Sequence, residues 1–350
     1  MTALSDIMEK TESISISRRR WRRFCRNRRG FYSLLIFGFF FISSLCAEVI
    51  SNDTPLLVIY EGKAYFPLFV EYPETTFGGD FETEADYLDP YIQEILTSNG
   101  NSVYFPLNRH SFQSINFNID GPVPSPPTNE NILGTDDRGR DVFARLLYGF
   151  RLSVLFGFAL TAVGTLIGIL TGAIQGFFGG KVDLFFQRFI EIWGAMPELY
   201  LLIIFASIFK PSVLLLLVLL SLFSWMGLSD YVRAEFLKGR NMEYVKAAKA
   251  LGVSDVTIMY RHLLPNGMTP VITFLPFRMS ASILALTSLD FLGLGVPPST
   301  PSLGELLAQG KANIDAWWLS LSTFLVLVGT LVLLIFIGEA LRETFDPRKN

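Results

Sequence analysis

Apolar residues gather along this chain in long blocks. Six stand out, at 31–50, 152–175, 190–209, 212–227, 269–294 and 317–337. Helices of about 20 apolar residues cross ~30 Å of hydrocarbon, so the pattern predicts six transmembrane helices. The block at 152–175 holds no formal charge. Pro197, Pro276, Arg278 and Asp290 interrupt others. Such breaks are tolerated where neighbouring helices satisfy the freed backbone groups. The arginine-led block at 31–50 is long enough to span, and no small-x-small cleavage site follows it, so it reads as a retained anchor rather than a signal peptide.

Between the first two blocks the pattern changes. Two β-rich runs flank Glu61-Gly62-Lys63 and predict a hairpin. A short helix is expected from Tyr87, and GPVPSPPTNEN, starting at Gly121, is a stiff extended linker. Thirteen Phe or Tyr between Tyr60 and Phe117 predict a small folded cap.

Composition agrees with a membrane chain: 50% hydrophobic, 17% charged, mean hydropathy +0.40. The net charge of −3 conceals segregation: Arg18–Arg29 carries eight arginines and no acid, whereas 52–145 carries 15 acids and 5 bases. Lys and Arg favour the cytoplasmic side. The expected topology has both termini inside, 51–149 outside, 179–188 inside, Lys210-Pro211 outside, 229–262 inside and 297–316 outside. Cys25 and Cys46 would stand ~30 Å apart on one helix and read as two ordinary thiols. There is no His/Cys cluster with metal spacing, and neither histidine, His110 or His262, has a believable nucleophile beside it. Enzymatic chemistry is therefore not expected. GFFGGKVD has Gln175 and Val182 where a phosphate loop needs Gly and Ser or Thr, so it reads as a tight turn.

The polar stretch EYVKAAKALGVSDVTIMYRHLLPN, residues 243–266, is the least expected feature of an oily chain. Tyr244, Val245, Ala248 and Leu251 recur at helical spacing, and Lys246 and Lys249 point away from that seam. Gly252 breaks the helix by taking positive φ. Ser254 or Asp255 caps a second short helix that should end at Pro265. Two short helices at an angle on the inner face suit transmission of a push from a soluble partner.

This stretch resembles the EAA loop of ABC importer permeases, with Ala247, Ala248, Gly252, Leu264 and Pro265 at the motif positions. Lys246 replaces the usual Glu, and His262 takes an apolar position. LGTDDRGRDVFARLLYGFRLSVLFG, SLDFLGLGVPPSTPSLGELL and GEALRETFDPR resemble the core entry, fifth-span exit and C-terminal signature of the dipeptide and oligopeptide permeases. The insert, with YPETTFGGDFETEADY, makes the chain resemble most the Yej-type permeases that take up microcin C and related peptides.

The resemblance implies an all-α type I permease of the bacterial inner membrane with six transmembrane helices and a small periplasmic insert. Its parts would be a basic cytoplasmic segment (1–30), a first span (31–50), a cap (51–130), a core (131–341) and a tail (342–350). It implies a heterodimer with a second permease, an ABC ATPase that carries ATP and Mg, a periplasmic binding protein, and no cofactor in this chain. Nucleic acid is not expected as a partner. The element that docks on the ATPase would run from Val253 to Tyr260, Ser254 and Asp255 included.

Ionisable residues within spans are costly and often line pathways. Glu198, Arg278 and Asp290 are the candidates, with packing ion pairs as the alternative reading. A proton-coupled carrier using Asp290 is the competing function; it should show repeated halves, which the sequence lacks. In GTDDRGRD, capping and mutual ion pairs are expected rather than a metal site. Phe143, Leu146, Leu147 and Phe150 suggest an outer interfacial helix, and Trp317 and Trp318 suggest interface anchors.

Overall fold

The computed structural model describes residues 16–345 except 99, 118 and 120. The first fifteen residues of the basic segment and the last five of the tail lie outside the described residues. The helices are α1 Ile16–Arg26, α2 Arg28–Leu45, α3 Ala47–Ile50, α4 Pro90–Thr97, α5 Val142–Phe178, α6 Gly180–Gly194, α7 Glu198–Ile208, α8 Val213–Ser224, α9 Met226–Gly239, α10 Glu243–Ala250, α11 Asp255–Thr257, α12 Leu264–Phe291, α13 Leu303–Ala312 and α14 Trp317–Phe345. A π-helical turn, Ile258–Leu263, joins α11 to α12. The strands are β1 Leu57–Tyr60, β2 Lys63–Tyr65 and β3 Ser102–Tyr104.

Four stretches among the described residues are long and apolar enough to cross a membrane: Val142–Phe178, Val213–Gly239, Asp255–Phe291 and Trp317–Phe345. The pair α6 and α7, bent by 66°, makes a fifth if counted as one span. The expected 190–209 span is thus broken, because Pro197 cannot donate its backbone N–H. The 31–50 block is divided too. Its main helix, α2, holds Arg28 and Arg29 and stops at Leu45.

The described residues fall into two compact units: 16–38 with 156–284 and 329–345, and 39–155 with 285–328. In the second unit, β1 lies between β2 and β3, both antiparallel to it. The expected hairpin is present, turning at Glu61 (φ 50°) and Gly62 (φ 75°), the left-handed pair that suits a two-residue loop. The cap thus adds a three-stranded sheet and a short helix to an otherwise helical chain. Val58, Phe77, Ala85, Tyr87, Ile92 and Leu96 form its core. The cap helix starts at Pro90 rather than Tyr87, because the Asp89 carboxylate accepts the Tyr91 N–H at 2.7 Å and Pro90 takes the first helical position.

Also in this unit, Trp318 is buried and donates its indole N–H to the Thr135 carbonyl at 3.1 Å. It is a packing residue, not an interface anchor; Trp317 is the exposed one. Val142 opens the long helix α5 itself rather than a separate interfacial helix. Its first turns are buried on more than one face, with Ala144, Arg145, Leu146, Tyr148 and Phe150 all inside.

In the first unit, α5 and α9 meet through small residues. A Cβ at Gly172 would lie 2.4 Å from the Ser229 carbonyl oxygen, and one at Gly176 would lie 2.5 Å from that of Arg233. Glycine spaced by four lets two helix backbones touch. The Ser229 hydroxyl receives Gln175 at 2.8 Å, and Arg233 pairs with Asp183.

Candidate coupling and pathway sites

The cassette at 243–266 lies wholly in the first unit. Val245 and Ala248 of α10 are buried in a cluster with Ala173 and Phe177 of α5 and Leu228, Val232 and Phe236 of α9. Tyr244 and Leu251, expected on the same seam, are exposed. Eight residues make barely two turns, so only the two nearest the cluster reach it. Lys246 faces out, paired with Glu243 at 2.9 Å; Ala247 is exposed.

α10 ends as the sequence suggested. Gly252 has φ +78°. Its N–H donates to the Lys249 carbonyl at 3.0 Å, and Val253 N–H to that of Ala248 at 3.1 Å, the paired bonds of a Schellman cap. Val253 packs on the cluster. Ser254 then caps α11, its hydroxyl accepting the Thr257 N–H, and Lys249 lies 3.6 Å from Asp255.

Pro265 does not end the second helix. The chain runs through it into α12, and the π turn just before it, with Ile258 and Leu263 buried, absorbs the defect. A proline in a helix removes one bond and clashes with the carbonyl four residues back; a wider turn relieves both. His262 is half-buried, and its carbonyl accepts from Asn266 at 2.9 Å. Leu264 packs on the cluster. The cassette is therefore a direct extension of a spanning helix. Its outer surface carries Leu251 (83% exposed), Val256 (74%) and Tyr260 (74%).

The three pathway candidates have different settings. Asp290, in the second unit, is buried and accepts the Val296 N–H at 2.8 Å and the Ser302 hydroxyl. It ties down the loop that leaves α12. Glu198, in the first unit, opens α7 just after the bend. It lines a cavity of about 230 Å³ with Trp193, Leu201, Phe205, Leu219 and Phe223. Arg278, also in the first unit, donates from Nη2 to the Ser224 carbonyl at 2.8 Å.

The sequence also left a buried ion network in the second unit incomplete. Asp136 pairs with Arg140 at 2.6 Å and with Arg145 at 3.4 Å. Arg145 also pairs with Glu305 of α13, and its side chain is fully buried. Asp141 caps α5 by accepting the Ala144 N–H at 2.7 Å, and takes further bonds from Asn108 and Asn131 at 2.9 Å each. Burial pushes the Glu305 carboxyl above the ordinary carboxylate range, while Arg145 and Arg140 pull it back. Asp137 is raised as well, by burial and the neighbouring Asp136. Capping and ion pairs thus account for GTDDRGRD, and no acid, His and Cys grouping suited to a metal occurs among the described residues.

Residues 164–350 match the family described as binding-protein-dependent transport system inner membrane component. The chain is 53% identical over 334 residues to the inner membrane ABC transporter permease protein YejE of Escherichia coli, covering 95% of this chain and 98% of that one. It is 50% identical to the peptidoglycan transport system permease protein YejE of Agrobacterium fabrum, covering 95% and 93%. It is 35% identical to the oligopeptide transport system permease protein OppC of Lactococcus lactis, covering 67% and 81%. The chain belongs to the family of binding-protein-dependent transport system inner membrane components, and is a multi-pass permease of the inner membrane.

Proposed function

We propose that this permease forms half of the pathway of an ATP-driven importer for peptides and peptide-like compounds, peptidoglycan fragments and microcin C-type cargo included. Its partners are a second permease, an ABC ATPase that holds ATP and Mg, and a periplasmic binding protein. α2 is the first of six spans, which puts both termini in the cytoplasm and the cap in the periplasm. The observation that carries the reading is the cassette. A rigid, cluster-backed knob continuous with α12 presents Leu251, Val256 and Tyr260 to solvent. Exposed apolar side chains on an anchored element mark a docking surface. ATP-driven closure of the ATPase pulls this knob, and α12 transmits the movement into the spans. The relatives, named as ABC and peptide or peptidoglycan permeases, support the same cargo class.

Proteoliposomes holding both permeases should accumulate a labelled peptide against a gradient only with ATPase, ATP and binding protein present. Uphill uptake driven by a proton gradient without the ATPase would refute this and restore the carrier reading.

The cap is assigned to delivery from the binding protein. Leu56 N–H donates to the Tyr104 carbonyl at 2.8 Å, so the ends of 57–104 are close enough for a short Gly-Ser bridge. That deletion spares Ser51 and Asn108, which hold the entry to α5. Uptake should fall several-fold while the ATPase still co-purifies; unchanged uptake would remove delivery as the cap's role.

A further inference from the structure

Arg278 is a positive charge in the middle of a spanning helix. It stands fourteen residues after Leu264, where α12 begins, or ~21 Å along the axis. A guanidinium at that depth is costly and is retained where it has work to do. Among the described residues it has no carboxylate within ion-pair distance. Its one bond goes to the Ser224 carbonyl at 2.8 Å. Ser224 ends α8, and its carbonyl stands at the one-residue break before α9 within the span Val213–Gly239. That carbonyl holds the guanidinium in place without neutralising it.

The surroundings are short of partners too. Arg278 Nε and Ser224 Oγ are both buried with no hydrogen-bond partner. Both groups crowd Gly164 of α5, where a Cβ would lie 2.5 Å from Ser224 Oγ and 2.8 Å from Arg278 Nη2. A guanidinium has five N–H donors, and only one is used here. Its remaining donors and the serine hydroxyl are a surplus that a planar anion would satisfy. The side chain is half-buried, on the face of α12 that continues through exposed Ala281. A small residue beside a charge suits a passage or a protein neighbour better than lipid.

We propose that Arg278, with the Ser224 hydroxyl, is an anion subsite within the translocation pathway that receives the terminal carboxylate of a passing peptide. The subsite rests on the peptide-importer reading above, and it gives the pathway a selectivity of its own beyond that of the binding protein.

The test uses the assembled importer in proteoliposomes with a peptide of free C-terminus and the same peptide as its C-terminal amide. Wild type should move the acid faster than the amide. In Arg278→Gln the acid-to-amide ratio should fall about tenfold, the scale of one charge-assisted hydrogen bond. Arg278→Lys should keep most of the ratio, because charge is retained. Quantifying the complex in the membrane normalises for assembly. An unchanged ratio in Arg278→Gln would place the selectivity in the binding protein and overturn the subsite. An equal loss for both peptides would reduce Arg278 to a packing residue and overturn it as well. Failure of wild type to move either peptide would instead overturn the peptide reading, and the subsite with it.

Discussion

Replacing Gly252 by valine is expected to abolish uptake while the ATPase remains bound and continues to hydrolyse ATP. The glycine has φ +78°, and beyond its chain neighbours no atom lies within 4 Å of where a Cβ would stand. Crowding is therefore not at issue; only the backbone resists. A β-branched residue held in the left-handed region costs about 1–3 kcal/mol. The chain can escape that cost by giving up the bonds from Gly252 and Val253 to Lys249 and Ala248. The angle between α10 and α11 is then lost, and with it the fixed position of Leu251 and Val256 on the knob. Asparagine, which tolerates this region, should retain most transport, and alanine should fall between. Uptake and ATP hydrolysis measured on the same proteoliposomes separate coupling from assembly. Wild-type transport by the valine variant, or a flat series across the three, would mean that the cassette does not transmit force through its bend.

The bend was legible because its signals are local. A glycine after the last helical residue and a serine two positions on specify one backbone path, whatever surrounds them. The same holds for the hairpin at Glu61-Gly62 and the positive φ of Gly179 and Gly180. Features set by tertiary context were not. Pro265 reads locally as a stop, yet a π turn carries the helix past it. Tyr244 and Leu251 share a helical repeat with Val245 and Ala248, yet the neighbouring helices cover only the latter two. Trp318 matches an interface anchor in sequence and is buried by a loop some 180 positions away. The three charges in the spans looked alike until their partners were known. Asp290 has two donors, and Arg278 holds one carbonyl.

Arg145 belongs to the same class of features. Its partner Glu305 is 160 residues away, beyond any pattern a local reading could use, and this sets up the second large effect. Arg145→Leu removes the charge that faces Asp136 and Glu305 at once. It also removes donors to the Phe112 and Thr300 carbonyls. Deleting one side of a buried ion network costs about 3–5 kcal/mol, because the remaining charge stays buried. Asp136 keeps its charged partner Arg140 at 2.6 Å, whereas Glu305 keeps the 3.5 Å contact to Arg140 and a neutral bond from the Gln309 amide at 3.2 Å, so Glu305 carries most of the loss. Its carboxyl already sits above the ordinary range through burial, and without Arg145 it must rise further. A group whose folded pKa is raised stabilises the fold below its unfolded pKa and loses that contribution as pH climbs through the folded value. The variant should therefore be most damaged at neutral and alkaline pH and should recover part of its stability on mild acidification. Arg145→Leu with Glu305→Gln should recover more at neutral pH and lose most of the pH dependence, Asp137, which Arg145 also restrains, keeping a share. Thermal unfolding of the purified complex across that pH range gives the readout. A loss that does not vary with pH, or a double variant no better than the single, would show that Arg145 stabilises this unit through its carbonyl bonds and packing rather than through its charge.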